Sequence, residues 1–233
     1  MSCDFREPRF VGEKETETAE ERKDSDGEET AEGTLLVLSA PSGAGKTSLS
    51  RALLKTFPDL RPSVSFTTRA PRGKEVDGVD YFFVGDAEFD RMAAAGDFAE
   101  WAVVHGNRYG TAKATLDEAR RQGQDILLDI DCQGAHRLRQ NGEEGVFVFI
   151  LPPSLDELTR RLRARNTESP EDVDIRIRNA WKEIPAASWY DYIVINDDFD
   201  RALEELAAIV LAERCRTVRR AGFLHRFFLD GKR

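Results

Sequence analysis

Residues 40–47 read APSGAGKT, and these residue types in this order can hold a polyphosphate. Gly43 and Gly45 let the backbone wrap an anion, so that consecutive N–H groups and the start of a helix point at its oxygens. The candidate cradle runs from Ser42 through Gly43, Ala44 and Gly45 to Ser48. Lys46 brings a positive charge to the β- and γ-phosphates, and Thr47 offers a hydroxyl to Mg²⁺. The pattern is that of a nucleoside-triphosphate loop, with Ala40 where the first glycine would stand. A second cluster lies in SFTTRAPR, residues 65–72, where Arg69 and Arg72 stand three apart around a proline. Two guanidinium groups suit a dianionic phosphate monoester, and Tyr81 and Tyr109 can add hydroxyl donors. Asp129 and Asp131, two apart at the end of DILLDI, share one face of a strand.

The elements that must position these groups are legible as hydrophobic runs. Residues 34–39 (TLLVLS), 125–130 (DILLDI), 146–151 (VFVFIL) and 192–196 (YIVIN) read as buried parallel strands. A helix over 46–56 follows the glycine-rich turn. Ser154-Leu-Asp-Glu157 matches a capping box. Ser169-Pro170 starts another helix, and Phe199, Leu203, Leu206 and Val210 share the spacing of a last helical face. Strands alternating with helices predict an α/β domain with a doubly wound parallel sheet. Residues 60–110 break that rhythm with short β-like pieces at 64–67, 81–84 and 98–104. They predict a small, mostly antiparallel inserted lobe.

The charge is uneven. The chain has 233 residues and a net charge of −9. Residues 1–32 hold twelve acids and five bases, a net of −7. Residues 13–32 contain no Leu, Ile, Val, Phe, Tyr or Trp, so they predict a disordered acidic extension. A body near neutrality argues against a nucleic-acid binder. Three scattered cysteines and three scattered histidines give neither a disulfide framework nor zinc-ligand spacing. There is no membrane-length apolar run and no secretory leader, so a cytoplasmic protein is expected, with homo-oligomerisation left open.

SAPSGAGKT, SFTTRAPR, DGVDYFFV, FAEWAVVHGNRYGT, LLDIDCQG, FILPPS and VINDD, in this order and spacing, resemble guanylate kinase over about residues 33–215. Ala40 is usual in that family. The resemblance implies a core of residues 33–60 and 111–215, a GMP-binding lobe at about 61–110 and an arginine-rich helical lid at about 160–178. Beyond it, residues 216–233, with Phe223, Phe227 and Phe228, read as a basic, aromatic helical tail expected to pack against the core. The resemblance carries site residues as well. It implies that Arg69, Arg72, Tyr81 and Tyr109 hold the GMP phosphate, while Ser65, Glu100, Thr111 and Asp131 face the base. Guanine presents adjacent N1–H and N2–H₂ donors that one carboxylate, such as Glu100, accepts together. The hydroxyls of Ser65 and Thr111 can donate to O6. Outside the motif, Glu100 would read as an exposed acid before Trp101.

Asp129 then stands near Mg²⁺, through water, and Asp131 faces GMP. The bland reading of the pair is helix capping before residues 132–139. The lid arginines map to Arg161, Arg165 and Arg176, while Asn166 departs from the glycine usual there. Asn196 either lies near the adenine of ATP or simply ends its strand. The implied reaction is γ-phosphoryl transfer from ATP to GMP, with Lys46, Mg²⁺ and the lid arginines offsetting charge. The rival readings are a non-catalytic guanylate-kinase-like protein-binding module, a P-loop hydrolase, and a kinase for another small acceptor. NDD at 196–198 lacks the N-K-x-D pattern of a GTPase, and the intact Gly45-Lys46-Thr47 disfavours a non-catalytic module.

Overall fold

A computed structural model describes residues 33–104, 106–164 and 170–230. In chain order the strands are β1 Leu35–Ser39, β2 Arg61–Pro62, β3 Phe66–Thr67, β4 Phe82–Phe83, β5 Phe98–Val104, β6 Asn107–Ala112, β7 Ile126–Asp129, β8 Val146–Leu151 and β9 Tyr192–Ile195. The helices are α1 Lys46–Thr56, α2 Asp86–Ala95, α3 Lys113–Arg121, α4 Cys132–Gln140, α5 Leu155–Arg163, α6 Pro170–Glu183, α7 Phe199–Arg214 and α8 Ala221–Asp230.

The order β2-β7-β1-β8-β9 makes a five-stranded sheet in which every pairing is parallel. Both faces are covered, which is why the strand sequences are continuous apolar runs. Leu35, Val37, Leu128, Phe147 and Phe149 point to one side, against Leu116 of α3 and Ala135 and Leu138 of α4. Leu36, Leu38, Val148 and Ile150 point to the other, against Leu49 and Leu53 of α1 and Leu206 of α7. The chain leaves β1 toward one edge of the sheet and β8 toward the other. A crevice therefore opens between their carboxyl ends, where ligands of such sheets sit.

The inserted lobe is a four-stranded sheet, β4-β3-β6-β5. Two of its pairings are antiparallel and β3–β4 is parallel, so the expected mostly antiparallel character is present. Its apolar face, with Phe66, Phe82 and Phe98, packs on Phe89 and Met92 of α2. Two boundaries differ from expectation. Arg61–Pro62 pairs with β7 and so belongs to the core sheet, and β6 runs through position 110 to Ala112. Neither β6, with its polar NRYGTA sequence, nor α2 announces itself by hydrophobic period.

Two further expectations change. The buried face of α7 is Ala202, Leu206, Ile209 and Val210, whereas Phe199, at its first turn, is exposed. The tail is helical, but Phe223, Phe227 and Phe228 of α8 are 59%, 66% and 65% exposed instead of packed on the core. The expected acidic extension, residues 1–32, lies outside the described residues, as does Ser169 of the proposed cap before Pro170.

Candidate active site

The loop between β1 and α1 is shaped by two left-handed glycines, Gly43 (φ +92°) and Gly45 (φ +97°). A Cβ on Gly45 would stand 2.3 Å from Asn196 Nδ2, and one on Gly43 2.9 Å from Leu162 Cδ2. Glycine is thus required at both positions by backbone conformation and by space. Ala44 is fully buried; its N–H donates to Pro41 O (3.1 Å), and its carbonyl accepts from Asn196 Nδ2 (2.7 Å). Asn196 is itself buried, so its side chain braces the loop from below as well as ending β9. Thr47 and Ser48 are exposed at the start of α1, where the helix dipole favours an anion; the Ser48 N–H donates to Gly45 O (3.1 Å).

Lys46 Nζ lies 2.6 Å from Asp129 Oδ1 and donates to Ile130 O at 2.6 Å. The lysine and the strand-end acid are thus direct partners. Glu183, at the end of α6, lies beside the Ser42 amide of the same loop, which draws its carboxyl down only slightly. Burial, with a smaller contribution from the nearby Asp131 charge, pushes the Glu183 carboxyl up to about 7. No local signal in the sequence marks Glu183, which is 141 positions from Ser42.

The second cluster is assembled by strand register. Glu100 pairs with Thr111, Ala102 with Tyr109, Tyr109 with Thr67 and Thr67 with Phe83. Directly paired residues share a sheet face, and side chains alternate along each strand. The register and alternation therefore put Ser65, Arg69, Tyr81, Glu100, Tyr109 and Thr111 on one face of the lobe sheet. The opposite face carries the phenylalanines that pack on α2.

Arg69 is 7% exposed. Its Nε donates to Tyr109 OH (3.1 Å), Nη1 to Ala70 O (2.7 Å) and Nη2 to Glu75 Oε1 (2.9 Å). The guanidinium also lies 5.3 Å from the Tyr81 ring centroid. Among the described residues three of its five N–H donors find partners, leaving two for a ligand. Glu75 was not anticipated. Its other oxygen accepts from the Arg72 N–H (2.7 Å), so one carboxylate orients both arginine positions. Its pairing with Arg69 holds that carboxyl below the usual range and Arg69 above its own. The Arg72 side chain is exposed to solvent.

Glu100 is 5% exposed, contrary to the reading of an exposed acid. Burial pushes its carboxyl up to about 7, against the Thr111 hydroxyl, which donates to Oε1 at 2.7 Å. That bond directs the Thr111 hydrogen to Glu100 in this state, where the sequence reading sends it to guanine O6. Gly134 of α4 makes room for the carboxylate: a Cβ there would stand 2.5 Å from Glu100 Oε2. Asp131 caps α4, its Oδ1 accepting from the Gly134 N–H at 3.0 Å. The capping reading of Asp131 is therefore realised, at a position that also places its charge beside Glu100.

The lid residues are split. Arg161 is half-buried on α5 and donates to Glu157 Oε1 (2.7 Å), and Arg160 binds the same carboxylate. These two arginines hold the Glu157 carboxyl down at about 2. Ser154 accepts from the Glu157 N–H (3.1 Å), as a capping box requires. Arg176 is half-buried on α6, whereas Arg165 and Asn166 lie outside the described residues.

The guanylate kinase family model matches residues 32–213. The chain is 60% identical over 187 residues to a guanylate kinase of Syntrophotalea carbinolica, covering 80% of this chain and 89% of that protein. It is 56% identical over 188 residues to one of Geobacter sulfurreducens, covering 81% and 93%. Among solved structures, the crystal structure of guanylate kinase from Anaplasma phagocytophilum superposes with a TM-score of 0.68 at 35% identity, covering 85% of this chain and 97% of that one. By its phosphate loop, its side-chain-lined lobe and these likenesses, the chain belongs to the guanylate kinase family.

Proposed function

We propose that this chain transfers the γ-phosphoryl group of ATP to GMP, giving ADP and GDP. The observation that carries the choice of acceptor is Glu100, a carboxylate buried on the same lobe face as the partly free guanidinium of Arg69. Guanine satisfies such a carboxylate with two adjacent N–H donors. Adenine has an acceptor at N1 and leaves the buried group unpaired, a mismatch that hydrogen-bonding sites reject strongly.

In this reading Arg69, Arg72, Tyr81 and Tyr109 hold the GMP phosphate, with Ser65, Glu100, Thr111 and Asp131 around the base. Residues 42–48 hold the ATP phosphates, and Asn196 serves the ATP side by keeping the loop in shape. Lys46 exchanges Asp129 for phosphate oxygens. Arg161, Arg165 and Arg176 of the lid approach the transferring group, Arg161 leaving Glu157 to do so. Thr47 and Asp129 are hard oxygen donors at the carboxyl end of the sheet, a donor set that fits Mg²⁺, Asp129 through water. When bound with ATP, Mg²⁺ offsets charge on the β- and γ-oxygens. A phosphate monoester is already ionised near neutral pH, so no side chain is needed as a base. The core is then residues 33–62 and 113–215 and the acceptor lobe about 63–112. The scattered cysteines suit action in the cytoplasm.

A coupled assay of ADP release with GMP, AMP, CMP and UMP tests the proposal. GMP should be the strongly preferred acceptor. Equal rates with AMP would overturn the assignment.

A further inference from the structure

The two ends of the chain that fall outside the family match, residues 1–31 and 214–233, have opposite charge. Residues 214–233 carry seven arginines and lysines against Asp230 alone, a net of +6, facing the −7 of residues 1–32. The apparent neutrality of the body therefore conceals an acidic domain and a basic tail. The tail also presents an aromatic surface: Phe223 and Phe227, one turn apart and stacked at 6.3 Å, and Phe228, each more than half exposed. Its first part is anchored. Arg219 donates to Asp125 Oδ1 (2.9 Å) and to the Thr34 hydroxyl, and Arg214 to Asp125 Oδ2 (2.7 Å).

Those anchors fix where the acidic segment meets the tail. Thr34, held by Arg219, is two residues past the end of the −7 segment. Gly33 lies against Gln124, on the wall of an open cleft of about 520 Å³ that Asp125, Arg214 and Arg219 also line. The acidic segment thus joins the domain beside the root of the basic helix. Its composition is ordered to match: Phe5, Phe10 and Val11 come first, then ten acids within residues 13–32. A flexible 20-residue stretch spans about 25 Å on average. A ten-residue helix is about 15 Å long, so α8 is within reach.

We propose that residues 1–32 clasp the C-terminal tail. The acids of 13–32 neutralise the basic stretch from Arg216, and Phe5, Phe10 and Val11 cover the Phe223/Phe227/Phe228 face. The clasp lies at the amino ends of β1 and β7, across the sheet from the phosphate loop, so it joins the two extensions without touching the chemistry.

The chain carries its own probes. Cys3 lies in the acidic segment and Cys215 is exposed at the root of the tail, while Cys132 is buried, its thiol pushed up to about 12 by burial. The full chain is treated in dilute solution with a short bis-maleimide, and the Cys3–Cys215 adduct is timed by mass spectrometry. The adduct should form within one chain, about fivefold or more faster at low salt than at about 1 M NaCl, where the Debye length shrinks to about 3 Å. A variant with E13Q, E15Q, E17Q, E20Q, E21Q and D24N, and separately F223A/F227A, should slow it to a similar degree. Rates indifferent to salt and to both variants would overturn the proposal. So would adducts that mainly join two chains, showing a second copy on the face. Loss of the adduct when the chain binds phosphatidylserine vesicles at physiological salt would assign the face to a lipid surface instead.

Discussion

The two nucleotide-facing regions are built from different parts of the polypeptide. The phosphate loop works through its backbone. Its shape comes from Gly43 and Gly45, and it is stiffened from outside by Asn196, Leu158 and Leu162. The lobe works through side chains: a guanidinium oriented by Glu75 and a carboxylate buried beside Thr111. Backbone donors are neutral and can stay in place without a ligand. A buried carboxylate is costly without one, and the upward shift of Glu100 to about 7 is the record of that cost. Base selectivity and stability therefore oppose each other in the lobe, whereas in the loop they agree.

The largest break in that comparison is Lys46→Ala. Lys46 is the one cation of the loop, and its removal should lower kcat by about 10³-fold, by analogy with losing a transition-state charge partner. Steady-state rates with saturating ATP and GMP check this, and a near-normal kcat would refute the role.

Glu100→Gln should separate binding from stability. An amide cannot accept both guanine donors, so KM for GMP should rise about 10²-fold with KM for ATP little changed. Stability should move the other way. Burial raises the folded-state pKa of Glu100 from 4.5 to about 7. Its neutral form therefore contributes fully below pH 4.5, and that contribution is lost as the pH rises through 7. Above pH 7 the wild type carries a buried charge worth up to about 3 kcal/mol of destabilisation, which the amide lacks. Thermal melts of the ligand-free protein should show Glu100→Gln gaining more at pH 8 than at pH 5. An equal effect at both would sink this account.

Asn196→Ala should show the agreement in the loop. It leaves the Ala44 carbonyl without its buried partner, a cost of about 1–3 kcal/mol. KM for ATP should rise several-fold while KM for GMP stays within about twofold, readable in one set of kinetics. A fall in Tm with ATP affinity intact would reduce Asn196 to packing alone. The smallest effect is expected from removing residues 1–32, which hold none of the site residues: kcat should stay within about twofold. A large loss would link the acidic segment to catalysis.

Much of this was legible in the sequence because it is local. The strand, glycine turn and helix of residues 34–56 follow from an apolar run and a motif whose residues are contiguous. Arg69, Arg72, Tyr81, Glu100, Tyr109 and Thr111 could be named from motifs, but their convergence depends on the pairing of β3, β5 and β6. Polar β6 gives no periodic signal. Glu75, Gly134 and Glu183 escaped because each acts on a partner defined by folding: Arg69, Glu100 and the Ser42 amide. The tail was misjudged for a related reason. Phe223, Phe227 and Phe228 read as core by composition, and exposure is a property of what lies opposite them.

The sequence by itself determined the parallel α/β core and the glycine turn of the phosphate loop, and it nominated the site residues. Side-chain type and short spacing suffice where the chemistry is local. Tertiary structure alone decided which groups are spent on each other: Lys46 on Asp129, Thr111 on Glu100, Asn196 on Ala44 and Arg161 on Glu157. Those partnerships depend on burial and on distances between strand ends and helix starts, which spacing along the chain does not encode.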